Sequence, residues 1–396
     1  MYLTLALLAG FVLVYSAIGG RVERTPFGGP LLWMTFGLLF GHVGFGLLEF
    51  EIDGEGVSLL AELTLAMILF TDAAASDLRV LRRSSGIPGR LLLIGLPLTL
   101  LLGFSVGSWL FGALTFFEIA ILATMLAPTD AALGQPVVSN EAVPAEIRES
   151  LSAESGLNDG ICVPILFVFL ALATEATGEM EPFALAVRLV VQQIGIGLVV
   201  GLGLAWLGRR LIRLGASHGW ITKSWIGLPV VALSLLCFAT AQSVGGSGFI
   251  ACFAGGLLFG GLVKQHKDEL LLAAEGAGKS LALLTWVVFG AVVIATTFDT
   301  LTWRSVAYAA LSLTLVRMLP VFLSLLGSGI DSRGKLFMGW FGPRGLASIV
   351  FAVIVIGANL PGRETLVTTV TVTVFLSIVL HGLTAMPFVR ALGGKA

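Results

Sequence analysis

The sequence predicts an all-α polytopic membrane protein: thirteen transmembrane helices arranged as two inverted six-helix repeats about one linking helix. Three observations predict it. First, 57% of the 396 residues are hydrophobic and only 12% are charged, about half the charge of an ordinary soluble domain. With a mean hydropathy of +0.99, the chain has too little polar side chain to coat soluble globules of that size. Second, the apolar residues come in runs of roughly 20, the length a helix needs to cross the hydrocarbon layer, without the dyad alternation of a membrane barrel. Third, the 23 Lys and Arg residues are shared very unequally between alternate loops. The same numbers exclude a soluble enzyme and a disordered chain. Cys162, Cys237 and Cys252 all sit in apolar stretches, an odd count that gives no disulfide framework. A net charge of −1 leaves no basic face for nucleic acid.

Thirteen apolar segments run approximately over 2–19, 30–48, 57–77, 90–111, 115–137, 148–173, 183–207, 224–243, 247–263, 280–297, 304–326, 336–358 and 365–389. Segment 1 has no basic residues before it and no small-residue cleavage site after it, so it reads as a retained span and not a signal peptide. An acidic loop (Glu49, Glu51, Asp53, Glu55) divides segments 2 and 3, and a basic one (Arg79, Arg82, Arg83, Arg90) divides 3 and 4. Segment 5 is interrupted by Pro128, and segment 6 carries a polar cluster. Segment 7 follows acidic Glu175, Glu179 and Glu181 and opens near Arg188, which is placed to snorkel. Segment 9 contains Gly256-x-x-x-Gly260, a spacing that lets helices approach closely. Segments 11 and 12 carry Arg317 and Arg344 beside prolines. His42 and His381 read as residues at span ends or in helix contacts, and the tryptophans as packing or interface anchors.

Odd-numbered loops and the C-terminal tail hold 18 of the 23 basic residues, even loops only Arg304 and Arg363, and the remaining three lie inside segments. Basic loops stay cytoplasmic, which puts the N-terminus outside and the C-terminus inside. Thirteen then divides as repeats of about 1–173 and 224–396 joined by a linking helix, 183–207. Six-span units on either side of a single span must face opposite ways, the arithmetic of inverted-repeat secondary transporters. The expectation is one integral membrane domain with no soluble regulatory domain. There is no GxxxxGK[ST] phosphate loop for nucleotide-driven pumping.

Ionisable groups inside spans are costly and mark function by default. In segment 5, Pro128 removes a helical hydrogen bond and is followed by Thr129-Asp130. This sets a carboxylate beside loosened carbonyls, a place for a small cation. The alternative is a proline kink with Asp130 at a helix end near water. In segment 6, Glu154-Ser155-Gly156-Leu157-Asn158-Asp159 stacks Ser155 on Asp159 and Glu154 on Asn158, four apart on neighbouring faces. Such a face turns away from lipid, toward a cavity or into a polar seam between helices. Segment 12 opens with Gly339-Trp340-Phe341-Gly342-Pro343-Arg344-Gly345 and corresponds to segment 5 in the inverted scheme. Interrupted helices at corresponding positions of two halves point to a transport site, where crossed helices 5 and 12 would have their exposed dipoles offset by the opposite charges. Buried Arg317, ahead of Pro320, needs a carboxylate, and Glu154 is the natural one, leaving Asp130 and Asp159 free for ions. Asp72 lies deep enough in segment 3 to reach the cavity, while Asp77 reads as a helix-end residue.

On Thr129-Asp130, Glu154-Ser155-x-x-Asn158-Asp159, Arg317-x-x-Pro320, Gly342-Pro343-Arg344-Gly345 and Leu69-Phe70-x-Asp72 with its trailing Leu78-Arg79-x-Leu81-Arg82-Arg83, the chain resembles the monovalent cation:proton antiporter family, in its electroneutral sodium/proton exchanger (NhaP-like) branch. The resemblance runs nearly the whole chain in order. It implies a homodimer of 13-helix subunits in the cell (inner) membrane, each with a dimerisation domain and a mobile six-helix bundle, serving sodium transport and pH homeostasis. It implies Asp130 and Asp159 as ion-binding carboxylates, with Ser155, the Thr129 carbonyl and Asp72 completing the shell. Glu154 and Arg317 would be a structural ion pair, Asn158 the mark of one-for-one exchange, and Arg344 the balance for unwound helix ends. Asp72 stands where some relatives carry glutamate. The expected activity is secondary active exchange of Na+ or Li+ for H+ by competition at buried carboxylates, with no cofactor and no enzymatic chemistry. A K+/H+ antiporter is the nearest alternative. A channel or an intramembrane aspartyl protease built on Asp130 and Asp159 is a reading from another class, the protease lacking a Gly-x-Gly-Asp motif.

Overall fold

The computed structural model describes residues 2–22, 29–48, 55–76, 86–130, 133–175, 188, 190–222, 225–263, 267–358 and 360–393, and every regular element among them is helical. In chain order these are α1 (Tyr2–Val22), α2 (Gly29–Phe40) and α3 (Glu55–Ala75), then α4 (Ile87–Leu110). The first break separates α5 (Phe116–Met125) from the single turn α6 (Gln135–Val138). There follow α7 (Ala145–Glu175), α8 (Val191–Ser217), α9 (Leu228–Ser243), α10 (Gly248–Leu262) and α11 (Lys267–Val288). After α11 a π turn, Phe289–Val293, leads into Ile294–Thr300. α12 (Trp303–Ser324) precedes the second broken element, α13 (Ser332–Trp340) and α14 (Leu346–Gly357), and α15 (Arg363–Gly393) ends the described chain. Eight of these helices (α1, α3, α4, α7, α8, α11, α12 and α15) are long and apolar enough to cross a membrane. Five more (α2, α5, α9, α10 and α14) are apolar but shorter.

Several boundaries differ from the sequence expectation, each for a physical reason. α11 begins at Lys267, not near residue 280, so Lys279 lies on a helix and not in a loop. α8 runs on to Ser217 and carries Arg209, Arg210 and Arg213. Charged residues tolerate a helix that continues past the hydrocarbon, and the exposed Arg210 guanidinium lies over the Trp206 ring at 5.6 Å. α2 stops at Phe40, and residues 41–48 turn back through Gly46 at φ 65. Segment 12 does not begin at its glycines. α13 precedes them, so Phe341–Gly345 is an interior break between two half-helices. The expectations placed on Asp77, Leu78, Arg79, Leu81, Arg82, Arg83, Glu51 and Asp53 lie outside the described residues.

The helices sort into two packed groups. α3 is lined by α10 and α11, with α8, α9 and α2 around them; α12 packs on α15, α4 and α13, and α5 on α4 and α7. Gly256 and Gly260 of α10 lie directly against the backbone carbonyls of Phe70 and Ala74 in α3, where a Cβ would collide. The small-residue spacing therefore serves a contact within the chain. α7 and α14 touch α3 and join the groups, so the polar half of α7 faces the seam between them.

Candidate ion-binding site

Two broken elements meet at the centre of the second group, and their meeting is a backbone problem before it is a chemical one. A helix end leaves several carbonyls or N–H groups without intrahelical partners, and inside a membrane none can be left bare. α5 stops at Met125 because Pro128 forbids continuation, which orphans its last carbonyls. Ser348 Oγ of α14 donates to Met125 O at 2.7 Å. The Arg344 guanidinium donates through Nη1 to Ala127 O and, at 3.1 Å, to Pro128 O. The opposite need arises at the start of α14, whose first N–H groups are exposed. There Asp130 Oδ2 accepts from Leu346 N at 2.8 Å, an N-cap donated from another element. Asp130 Oδ1 accepts from Leu133 N at 3.1 Å, and the two breaks bond directly, Asp130 N to Pro343 O at 2.7 Å. Each break thus supplies the charge that the other's helix dipole calls for. Gly345 is glycine because a Cβ there would strike the Asp130 carboxylate, and Gly342 because one would strike the Arg317 guanidinium.

Glu154 pairs with Arg317, and Asp130, expected beside Asp159 as an ion-binding carboxylate, also accepts a backbone N–H at each of its oxygens, because the crossing needs an anion at the head of α14. The Glu154–Arg317 pair itself is bidentate, Nη1 to Oε1 at 2.5 Å and Nη2 to Oε2 at 2.7 Å, each residue 2% exposed. It fastens α7 to α12.

On the residue next to Glu154, Ser155 Oγ lies 2.9 Å from Thr129 Oγ1, and one turn further along α7 Asn158 Nδ2 donates to the same Thr129 oxygen at 2.8 Å. The Asn158 amide is therefore oriented with its oxygen away from Thr129. Asn158 Oδ1 and Asp159 Oδ1 are both buried atoms with no hydrogen-bond donor among the described residues. Two buried acceptors without donors, on consecutive residues of α7, suit an oxygen-seeking cation. Asp130 and Asp72 lie near enough for their charges to act on Asp159. Among the described residues, no three His, Cys, Asp or Glu side chains stand at metal-ligand spacing. A cation here would be held by one or two carboxylates together with hydroxyl and amide oxygens.

Asp72 reaches the seam from α3, its Cβ next to Gly156 of α7. The packing of α3 on α11 brings two further charges to it that sequence reasoning missed. Thr64 and Thr285 hydroxyls meet at 3.1 Å, and Gly278 sits on Ile68. This antiparallel register carries Asp72 to the level of Glu275 and Lys279, whose charges act on it. The spacing of Glu275 and Lys279, one helical turn, was visible; the placement of Lys279 in a loop hid it. Half-buried Glu275 and exposed Lys279 flank the approach to Asp72 with opposite sign. Glu275→Gln is expected to raise the KM for the cation roughly two- to fivefold, the size of a partly exposed charge interaction, and Lys279→Gln to lower it, with turnover unchanged in both. Initial-rate cation titrations in proteoliposomes check this.

His381, read from the sequence as a residue at a span end or in a helix contact, holds the second break. Its Nε2 lies 2.7 Å from Trp340 O at the end of α13, and its Nδ1 lies 2.8 Å from Ser377 O. The Ser377 hydroxyl in turn accepts from Arg344 N at 2.7 Å. α15 thereby grips both sides of the interruption.

A family model described as "Sodium/hydrogen exchanger, transmembrane" matches residues 7–391. The chain is 24% identical over 380 residues to a protein named K(+)/H(+) antiporter NhaP2 from Shewanella sp. (strain ANA-3), covering 95% of this chain and 64% of that protein. It is also 24% identical over 392 residues to K(+)/H(+) antiporter NhaP of Alkalimonas amylolytica, covering 98% and 67%. It thus spans about two thirds of the length of these relatives. Among solved structures, the sodium proton antiporter MjNhaP1 from Methanocaldococcus jannaschii at pH 8 superposes with a TM-score of 0.79 at 24% identity, covering all of this chain and 98% of that one. The fold is shared.

Proposed function

We propose, from the premise that the chain belongs to the sodium/hydrogen exchanger family, that it is a secondary active antiporter exchanging Na+ or Li+ for H+ at Asp159. The observation that carries this is the pair of buried, donor-less oxygens Asn158 Oδ1 and Asp159 Oδ1 beside two crossed helix breaks. Hard cations take oxygen ligands. Burial disfavours a bare carboxylate charge, so a proton and a dehydrated cation are alternative ways of neutralising the same group. Ser155, Thr129 and Asp72 supply the remaining oxygens, and Asp130 acts through the backbone it caps. The protease reading needs two open carboxylates, and Asp130 is committed to the backbone.

Access alternates as the bundle of α4–α7 and α12–α15 moves against α3 and its neighbours, carrying Asp159 past Asp72. In this reading the chain crosses the cell (inner) membrane thirteen times as inverted repeats, with its N-terminus outside, and works as a homodimer. One exchangeable carboxylate beside a neutral Asn158 makes the cycle one for one and electroneutral. Exchange of K+ for H+ is the second reading, favoured by the names of the curated relatives.

Flux in proteoliposomes, with Na+, Li+ and K+ in turn and with and without an imposed voltage, tests both. Dequenching of a pH dye by Na+ and Li+, indifferent to voltage, is expected. Activity with K+ alone would establish the second reading. A rate set by voltage would overturn electroneutrality.

A further inference from the structure

Beside the helix crossing, α12, α13 and the last turns of α15 line an open cavity of about 510 Å³. Its size is that of a small-ligand site. Met318, Leu336, Phe337, Trp340 and Phe388 wall it, and Arg333 is the one charged side chain among its lining residues. Arg333 is exposed and has no ion-pair partner among the described residues. The nearest acid in sequence, Asp331, turns one carboxylate oxygen to its own helix cap, accepting from Gly334 N at 2.8 Å. Two further cations stand on the same elements: Lys335, whose ammonium lies over the Phe322 ring at 5.6 Å, and exposed Arg390 on α15.

The cavity is therefore apolar but for one cation in its lining, Arg333. An apolar cavity is a poor home for water. A free phosphate would answer the arginine and leave the walls unfilled. Only an amphiphile with an anionic head and a hydrocarbon tail answers both, and in a membrane-spanning chain that is a lipid; basic pockets between membrane helices take such headgroups. We propose that this cavity binds an anionic phospholipid, with an acyl chain between α12, α13 and α15 and the headgroup phosphate on Arg333.

The site bears on transport through Trp340. Its ring lines the cavity, its Nε1 donates to Thr384 Oγ1 of α15 at 2.9 Å, and its carbonyl is the one His381 holds. It is also the last residue of α13 before the break. A chain packed on this ring stiffens the α13–α15 junction that presents Arg344 to the crossing, so the lipid is expected to raise turnover. This second part rests on the antiport reading; binding does not.

Binding is read from tryptophan fluorescence in phosphatidylcholine bilayers doped with brominated phosphatidylglycerol, or with brominated phosphatidylcholine as the neutral arm. Subtracting the signal of Trp340→Phe isolates Trp340 from the other tryptophans. The expected result is quenching of Trp340 at a severalfold lower mole fraction of the anionic lipid than of the neutral one. Arg333→Gln, and Ala391→Trp to fill the cavity, are expected to abolish that preference, and inorganic phosphate not to compete. Equal quenching by both headgroups, a preference that survives Arg333→Gln, or competition by phosphate would overturn the site. Should Trp340→Phe not fold, native mass spectrometry of wild type against Arg333→Gln answers the same question: equal retention of phosphatidylglycerol overturns it. Flux that rises with phosphatidylglycerol in wild type and not in Arg333→Gln supports the coupling. Preferential binding with unchanged flux overturns the coupling, and no flux in any lipid with binding intact is a failure of the antiport reading alone.

Discussion

Asp159→Asn is expected to reduce cation-dependent proton flux to the background of protein-free liposomes, at every cation concentration and every pH tested. The amide is close in shape to the carboxylate, so packing on α7 changes little, but it can neither take up a proton nor neutralise a cation. A conservative substitution therefore separates chemistry from fold. Asp130→Asn is the instructive contrast. The amide oxygen can still accept from Leu346 N, but the anion at the head of α14 is gone. A partial loss of rate is expected, accompanied by a loss of stability that Asp159→Asn does not show. Both are measured in the same flux assay, with thermal unfolding in detergent as the second reading. Full activity of Asp159→Asn would sink the proposed mechanism.

The second large effect is on stability. Removing one partner of a buried ion pair strands the other's charge, which costs about 3–5 kcal/mol. Glu154→Gln and Arg317→Met are each expected to destabilise the protein by about that much. The Glu154→Gln/Arg317→Met double substitution is expected to be less harmful than the sum of the two, because no charge is then left alone. A double-mutant cycle on unfolding free energy measures the coupling. The pair joins α7 to α12, so a complete absence of coupling would show that the bidentate contact does not hold these helices together. The double variant also asks whether transport needs this pair for anything but geometry, since it retains Asp159, Asn158 and Thr129.

Much of the site was legible because its signals are local. Charge is scarce in this chain, so Glu154, Asp159, Arg317 and Arg344 stood out wherever they fell, and four-residue spacing put Ser155 and Asp159 on one face without any knowledge of the fold. Prolines announced both breaks. Glu154 was the natural carboxylate for Arg317, and the bidentate pair bears that out. What could not be read were relations fixed by where two distant segments meet. Asp130 was expected at the ion; that its oxygens also accept from Leu346 N and Leu133 N became knowable only once the breaks were seen to cross. Glu275 and Lys279 were missed because their relation to Asp72 arises from the register of α11 on α3, set by Thr64, Thr285 and Gly278. His381 looked bland because a single histidine carries no spacing signal; its meaning lies in a carbonyl 41 residues away in the chain.

The sequence by itself determined the class of protein, the order of its apolar segments, the positions of both interruptions and the few ionisable groups retained between them. These follow from composition and periodicity, which act over one or two helical turns. Only the tertiary structure decided which carboxylate oxygens accept from the backbone and which have no donor. A helix end in a low-dielectric interior must be satisfied by whatever is brought beside it. The crossing brings Asp130 to the head of α14 and Arg344 to the tail of α5, and it leaves Asp159, one turn past the Glu154–Arg317 pair, with an oxygen that no backbone group claims.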